Sequence, residues 1–160
     1  MHEGRTTVKG DVEARRFPKG VYIITSRSDD RRAGMTAAWV SRISATPAMM
    51  AVALHRASAT EEVIRQSGWF VIHALPESHV ELARSFGRGS SRDRDKFEGL
   101  NVTESSHGQP VLGAAAAYVE CRVAGRQVVG DHHLLIGEIV DEAEFCAGET
   151  LRYRESLFGA

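Results

Sequence analysis

The sequence predicts a mainly β domain, an antiparallel barrel closed or nearly closed, with two or three short helices. Three observations predict it. Apolar runs are short and β-branched in places, turn residues separate them, and two long runs flank Gly130-Asp131. The 160 residues suffice for a single domain whose core needs no disulfide or metal staple. The polar stretch 1–14 reads as a flexible N-terminal segment of that domain.

Along the chain, residues 21–26 read as a strand and the polar run 28–34 as a hairpin loop. Residues 34–45 read as one long second strand. Alternate side chains share a face, so Met35, Ala37, Trp39, Ser41, Ile43 and Ala45 fall on a mainly apolar side. Thr36, Ala38, Val40, Arg42 and Ser44 fall on the other, which meets solvent or a ligand. Residues 49–54 are apolar throughout and follow Pro47, the pattern of a central strand buried on both faces.

A helix begins after Ser58. Glu61 stands three residues on, Val63 and Ile64 supply an apolar face, and Gly68 stops it. Residues 69–75 form another strand, and a second helix runs from near Pro76 to before Gly87, with Leu82 and Phe86 one turn apart. The Gly/Ser-rich polar run 87–99 is a loop long enough to suggest function. After a turn at 107–110, residues 115–129 and 132–145 pair as a hairpin, and a short segment 151–158 closes the chain.

Composition narrows the function. A formal net charge of −1 argues against nucleic acid as a partner, and the basic residues within 84–96 are interleaved with acids, suiting one or two phosphates. No run approaches the ~18–20 apolar residues of a membrane helix, and the N-terminus lacks the apolar core of a signal peptide. Cys121 and Cys146 lie among apolar residues without CxxC spacing, and read as reduced, buried thiols of a cytoplasmic protein. There is no GxSxG elbow, HExxH motif or P-loop, and Gly87-Arg88-Gly89 follows a helix where a dinucleotide fingerprint follows a strand. His132 and His133 are neighbours in a strand, point to opposite faces and cannot share a metal, so none is expected. What remains is a barrel whose reactivity a cofactor supplies.

A series of segments then carries a resemblance. Phe17-Pro18-Lys19-Gly20-Val21 and Gly34-Met35-Thr36-Ala37-Ala38-Trp39 come first, followed by Ser41-Arg42-Ile43-Ser44-Ala45-Thr46-Pro47. Ser67-Gly68-Trp69-Phe70-Val71-Ile72-His73-Ala74-Leu75, the loop from Phe86-Gly87 to Asp95-Lys96-Phe97, Tyr118-Val119-Glu120-Cys121-Arg122-Val123 and the Gly130-Asp131-His132 turn with its strand complete it. In order and spacing these resemble the flavin reductase-like, or flavoredoxin-like, family over about residues 17–155. His73 stands where that family usually has asparagine, and Glu155 and Phe158 where it usually has glycine and tyrosine, which leaves ligand contact by the tail in doubt.

The resemblance implies a split β-barrel of Greek-key type, a homodimer, and FMN or FAD near the dimer interface. It implies an NAD(P)H:flavin oxidoreductase, with NADH or NADPH as electron donor, that in many members supplies reduced flavin to a separate flavin-dependent monooxygenase. Two other readings stand beside it: an FMN-binding electron-transfer flavoprotein without rapid NAD(P)H oxidation, and a non-catalytic cofactor-binding barrel.

Residue roles follow from what a flavin needs. Its ring wants backbone donors and acceptors beside short side chains, which assigns Thr36, Ala37, Ala38 and Trp39 to ring contact, with Ser41 and Ser44 next; the apolar neighbours of Trp39 favour reading its side chain as a packed core residue. Its phosphate suits a helix N-terminus, where unpaired N–H groups and the helix dipole point outward. That assigns Arg56, Ser58 and Thr60, a simple capping box with a solvated arginine being the other reading. Arg92, Lys96 and Phe97 complete the phosphate site or cover the ring, or else form a solvated charge run. His132 contacts the nicotinamide or the reduced ring, or bonds the hairpin backbone, while His73 and His133 read as structural.

Overall fold

The computed structural model describes residues 11–158; of the N-terminal segment expected to be flexible, residues 1–10 lie outside these, and residue 11 begins a helix. The elements in order are α1 (Asp11–Arg16), β1 (Tyr22–Ser28), β2 (Arg31–Ala37), β3 (Val40–Ser44), β4 (Met49–His55), α2 (Ala59–Ser67), β5 (Trp69–Ala74) and α3 (Val80–Gly87). They continue with β6 (Val102–Glu104), β7 (Pro110–Leu112), β8 (Ala117–Val129), β9 (His132–Glu144) and α4 (Glu155–Phe158). Seven strands make one antiparallel sheet in the order β2-β1-β5-β8-β9-β4-β3, and β6 and β7 pair separately.

Two-residue turns set the hairpins. Asp29 takes a left-handed φ of 51° and Asp30 completes the turn, so Ser28 pairs with Arg31 and most of the expected 28–34 loop is strand. An aspartate tolerates that conformation because its short side chain bonds locally. Gly130, with φ 58°, does the same between β8 and β9, pairing Val129 with His132 as the sequence led us to expect.

The long second strand expected over 34–45 is two strands. β2 and β3 lie on opposite borders of the sheet, separated in the chain only by Ala38 and Trp39. The sheet must therefore curl until its borders meet, yet no ladder joins β2 to β3, and the barrel is split along that line. The break also overturns the expected apolar face: Trp39 and Ile43 are each about half exposed. β4 departs from expectation likewise, burying Val52 and Leu54 while its other residues are half-buried or exposed, because β3 beside it lies at the border.

Two cores form on the two faces of the curled sheet. Ile24, Leu54, Phe70, Ile72 and Leu135 pack inside it. Their alternates, beginning with Ile23, pack outside with Leu75, Phe86, Phe97 and Leu112 beneath α3 and the polar loop. Cys121 is buried inside, where burial pushes its thiol up to about 12, whereas Cys146 lies beyond the end of β9 and is exposed, correcting the expectation of two buried thiols. Among the described residues no helix is long and apolar enough to cross a membrane.

Candidate functional site

β2 is a border strand, and a border strand presents unpaired backbone groups on its outer side. The loop residue Ser91 identifies which groups point outward: its Oγ accepts from Gly34 N (3.1 Å) and donates to Gly34 O (3.2 Å). Backbone direction alternates with period 2, so the N–H and C=O of Thr36 project from the same edge. Thr36 Oγ1 donates to Ala83 O of α3 at 2.5 Å, which ties the side chain down beside open space. Cavities of 380, 240 and 220 Å³ adjoin one another, and Thr36 lines all three.

The 240 Å³ cavity runs from Thr36 to the start of α2. Ser58 is the N-cap, its Oγ accepting from Glu61 N at 3.1 Å, and Gly68 ends the helix in the left-handed conformation, as the sequence reading has it. Ser58 and Thr60 line the cavity together with Ser90, Ser91 and Arg92 of the polar loop. Thr60 is buried, while Arg56 stands exposed just ahead of the helix. Arg92 spans the mouth, donating to Ala57 O (3.0 Å) and pairing with Glu62 (2.6 Å). That guanidinium, with Arg31 beside it, holds the Glu62 carboxyl below its ordinary range.

The rest of the loop does something else. Lys96 borders this cavity but turns its buried ammonium to Phe86 O (2.8 Å), and burial lowers its pKa. Phe97 is a core residue, edge-on to Phe86 with ring centroids 5.3 Å apart, and so packs beneath the loop instead of covering a ring.

The 220 Å³ cavity holds the remaining candidates. Ala37, Ala38 and Trp39 line it with His55 and His132. His132 rests on Trp39 with centroids 4.7 Å apart and meets His55, its partner across the β4–β9 ladder, edge-on at 5.6 Å. Its Nδ1 lies 2.6 Å from Asp131 Oδ1, and this contact lowers the Asp131 pKa. Ser41 and Ser44 sit on β3 away from these cavities; Ser41 Oγ bonds Arg42 O, and Ser44 O accepts from Arg42 Nε.

The structure adds residues that single-strand reading missed. His55 follows the apolar run 49–54 and opens the segment that carries Arg56, Ser58 and Thr60, without a role assigned to it. Arg84 and Arg88, one turn apart on and just after α3, line the 380 Å³ cavity together with Tyr153 and Phe158 of the tail, where Arg84 Nε donates to Leu157 O at 2.7 Å. Those two rings stack with centroids 5.7 Å apart and planes at 11°, so the phenylalanine that replaces the usual tyrosine still walls the groove. His133, neighbour of His132, faces the other way onto Glu61 (2.8 Å). No metal-holding cluster occurs among the described residues.

Comparison with known proteins identifies the family of the chain. Residues 14–156 match the model of the flavin reductase like domain. The chain is 32% identical over 148 residues to the ferric-chelate reductase (NAD(P)H) of Archaeoglobus fulgidus, covering 91% of this chain and 88% of that protein. It is 32% identical over 127 residues to diflavin flavoprotein A 1 of Synechocystis, covering 79% of this chain and 22% of that protein. The chain thus spans about a fifth of the length of such diflavin relatives. Among solved structures, the flavin reductase HpaC complexed with NADP+ superposes with a TM-score of 0.78 at 25% identity, covering 89% of this chain and 90% of that one.

Proposed function

The chain belongs to the flavin reductase like family, and from that premise we propose that it is an NAD(P)H-dependent flavin reductase that seats FMN along the β2 border. One observation carries the reading: Thr36 lies where three adjoining cavities meet, with a helix start at one end and small side chains backed by aromatic rings at the other. A phosphate fits the helix start beside Ser58, Arg56 and Arg92. A flat ring fits Thr36–Ala38, where outward backbone groups and short side chains allow close approach. FAD shares both parts and stays an option the geometry accommodates.

When bound, the flavin supplies the hydride-accepting chemistry, which demands stacking geometry more than a proton carrier. The chain's residues hold and screen. Trp39 and His132 wall the ring end, Asp131 orients the His132 imidazole, and the stacked Tyr153 and Phe158 shield the opposite side. Half-exposed Trp39, Ile43, Val128 and Val129 on β3, the seam and the hairpin tip support a homodimer that covers them. Delivery of reduced flavin to a separate monooxygenase in the cytoplasm completes the reading. The alternative, an FMN-binding electron-transfer flavoprotein without rapid NAD(P)H oxidation, uses the same groove.

The test is spectroscopic. Flavin-free protein titrated with FMN should take up one flavin per chain, and anaerobic NADH or NADPH should bleach the bound flavin within seconds. No uptake sinks both flavin readings; uptake without bleaching leaves the carrier.

A further inference from the structure

Glu61 is the third residue of α2, a charged side chain only 4% exposed. Its partners come from far along the chain. Arg126 of β8 donates through Nε to Glu61 Oε1 at 2.7 Å, and its Nη2 lies 2.6 Å from the same oxygen. The same Nη2 lies 2.9 Å from His133 Nδ1 on β9, and that ring nitrogen lies 2.8 Å from Glu61 Oε1, so the three groups converge on one point. A buried carboxylate requires such partners, since removing one leaves an uncompensated charge.

The position of this cluster matters more than its strength. It joins the first turn of α2, which bounds the phosphate end of the groove, to the hairpin that presents His132 to the ring end. His132 and His133 alternate across β9, so fixing His133 against Glu61 fixes the backbone that aims His132 at Trp39. We propose that Glu61, Arg126 and His133 are positioning residues that set the spacing between the phosphate end and the ring end of the groove. The proposal rests on the flavin reading above. It makes discrimination between FMN and riboflavin depend on a residue that touches neither.

The experiment compares FMN and riboflavin affinities of flavin-free wild type, Arg126→Gln and Arg126→Lys, with melting curves for each. Only a ligand that engages both ends feels their spacing. Wild type should prefer FMN by at least about tenfold. Arg126→Gln should lose most of that preference while riboflavin binds within about twofold of wild type. Lysine keeps the charge but lacks the fork that serves Glu61 and His133 together, so Arg126→Lys should fall between. An unchanged FMN preference in folded Arg126→Gln, or equal losses for both ligands, overturns the positioning role alone. If Arg126→Gln does not fold, full preference in Arg126→Lys overturns it. A wild type indifferent to the phosphate overturns the phosphate site and the positioning role together.

Discussion

The His132 ring lies on Trp39 at 4.7 Å and 53°, although one residue ends a hairpin turn and the other sits 93 positions earlier, where the chain crosses from one sheet border to the other. Together they wall the 220 Å³ cavity. Replacing His132 with alanine should slow anaerobic flavin reduction by NAD(P)H about tenfold, roughly 1.4 kcal/mol of barrier, while FMN affinity moves less than threefold. Stopped-flow bleaching beside equilibrium titration separates the two effects.

Arg56 and Ser58 should behave differently under mutation, because only Ser58 has an internal task. Arg56→Ala is expected to weaken FMN by about fivefold to tenfold, leaving riboflavin binding and Tm unchanged. Ser58→Ala removes the cap on Glu61 N and should cost about 1 kcal/mol of stability, seen as a Tm lower by about 2–4 °C. A Tm loss for Arg56→Ala equal to that of Ser58→Ala would count against this division.

His73 makes the fold acid-labile. It is fully buried, within hydrogen-bond reach of Ile23 O through Nδ1 (3.0 Å) and accepting from Leu112 N at Nε2 (3.1 Å), and burial lowers its pKa from 6.5 to about 4. Between those values the unfolded chain binds a proton that the folded chain refuses. The stability is therefore complete above the unfolded value and declines by about 3 kcal/mol as pH falls toward the folded one. His73→Asn, the usual residue of the family, carries no such proton; urea midpoints from pH 7 to 4 should fall less steeply than in wild type.

Gly34 lets α3 sit on β2. A β-carbon there would stand 2.6 Å from Phe86 Cε1, so Gly34→Ala must push the helix outward. Overpacking of this kind costs about 1–3 kcal/mol, and Tm should drop by about 5 °C. FMN affinity should weaken as well, since Phe86, Gly87 and Gly34 line one cavity. Retained affinity with lowered Tm would separate the packing role from the site.

The two thiols should differ in reactivity. Exposed Cys146 is expected to take up a thiol reagent at pH 8 in native protein, and Cys121, with its pKa near about 12, only on unfolding. Mass spectrometry of digests before and after denaturation counts each site.

Local chemistry made much of this legible. The Ser58 cap, the Gly68 stop and the Gly130-Asp131 turn each depend on one or two residues, and they appear where the sequence puts them. Thr36 and Ser58 were separately recognisable, and the curl of the sheet brings them to one cavity. The break at Ala38–Trp39 was not legible, because small and apolar residues alternate straight through it. Nor was the depth of Lys96 and Phe97, whose polar neighbours mask a packing set by Phe86. Glu61 looked like half of a capping box, but its carboxylate bonds residues more than sixty positions away.

The unpaired border of β2 has a consequence for exchange. The barrel is not closed by a ladder along β2, and the outward amides of that border, Thr36 among them, should swap hydrogen for deuterium quickly in flavin-free protein. A flavin seated along Thr36–Ala38, as proposed, would cover that border, and those amides should then slow. The cofactor becomes, in effect, part of the barrel wall.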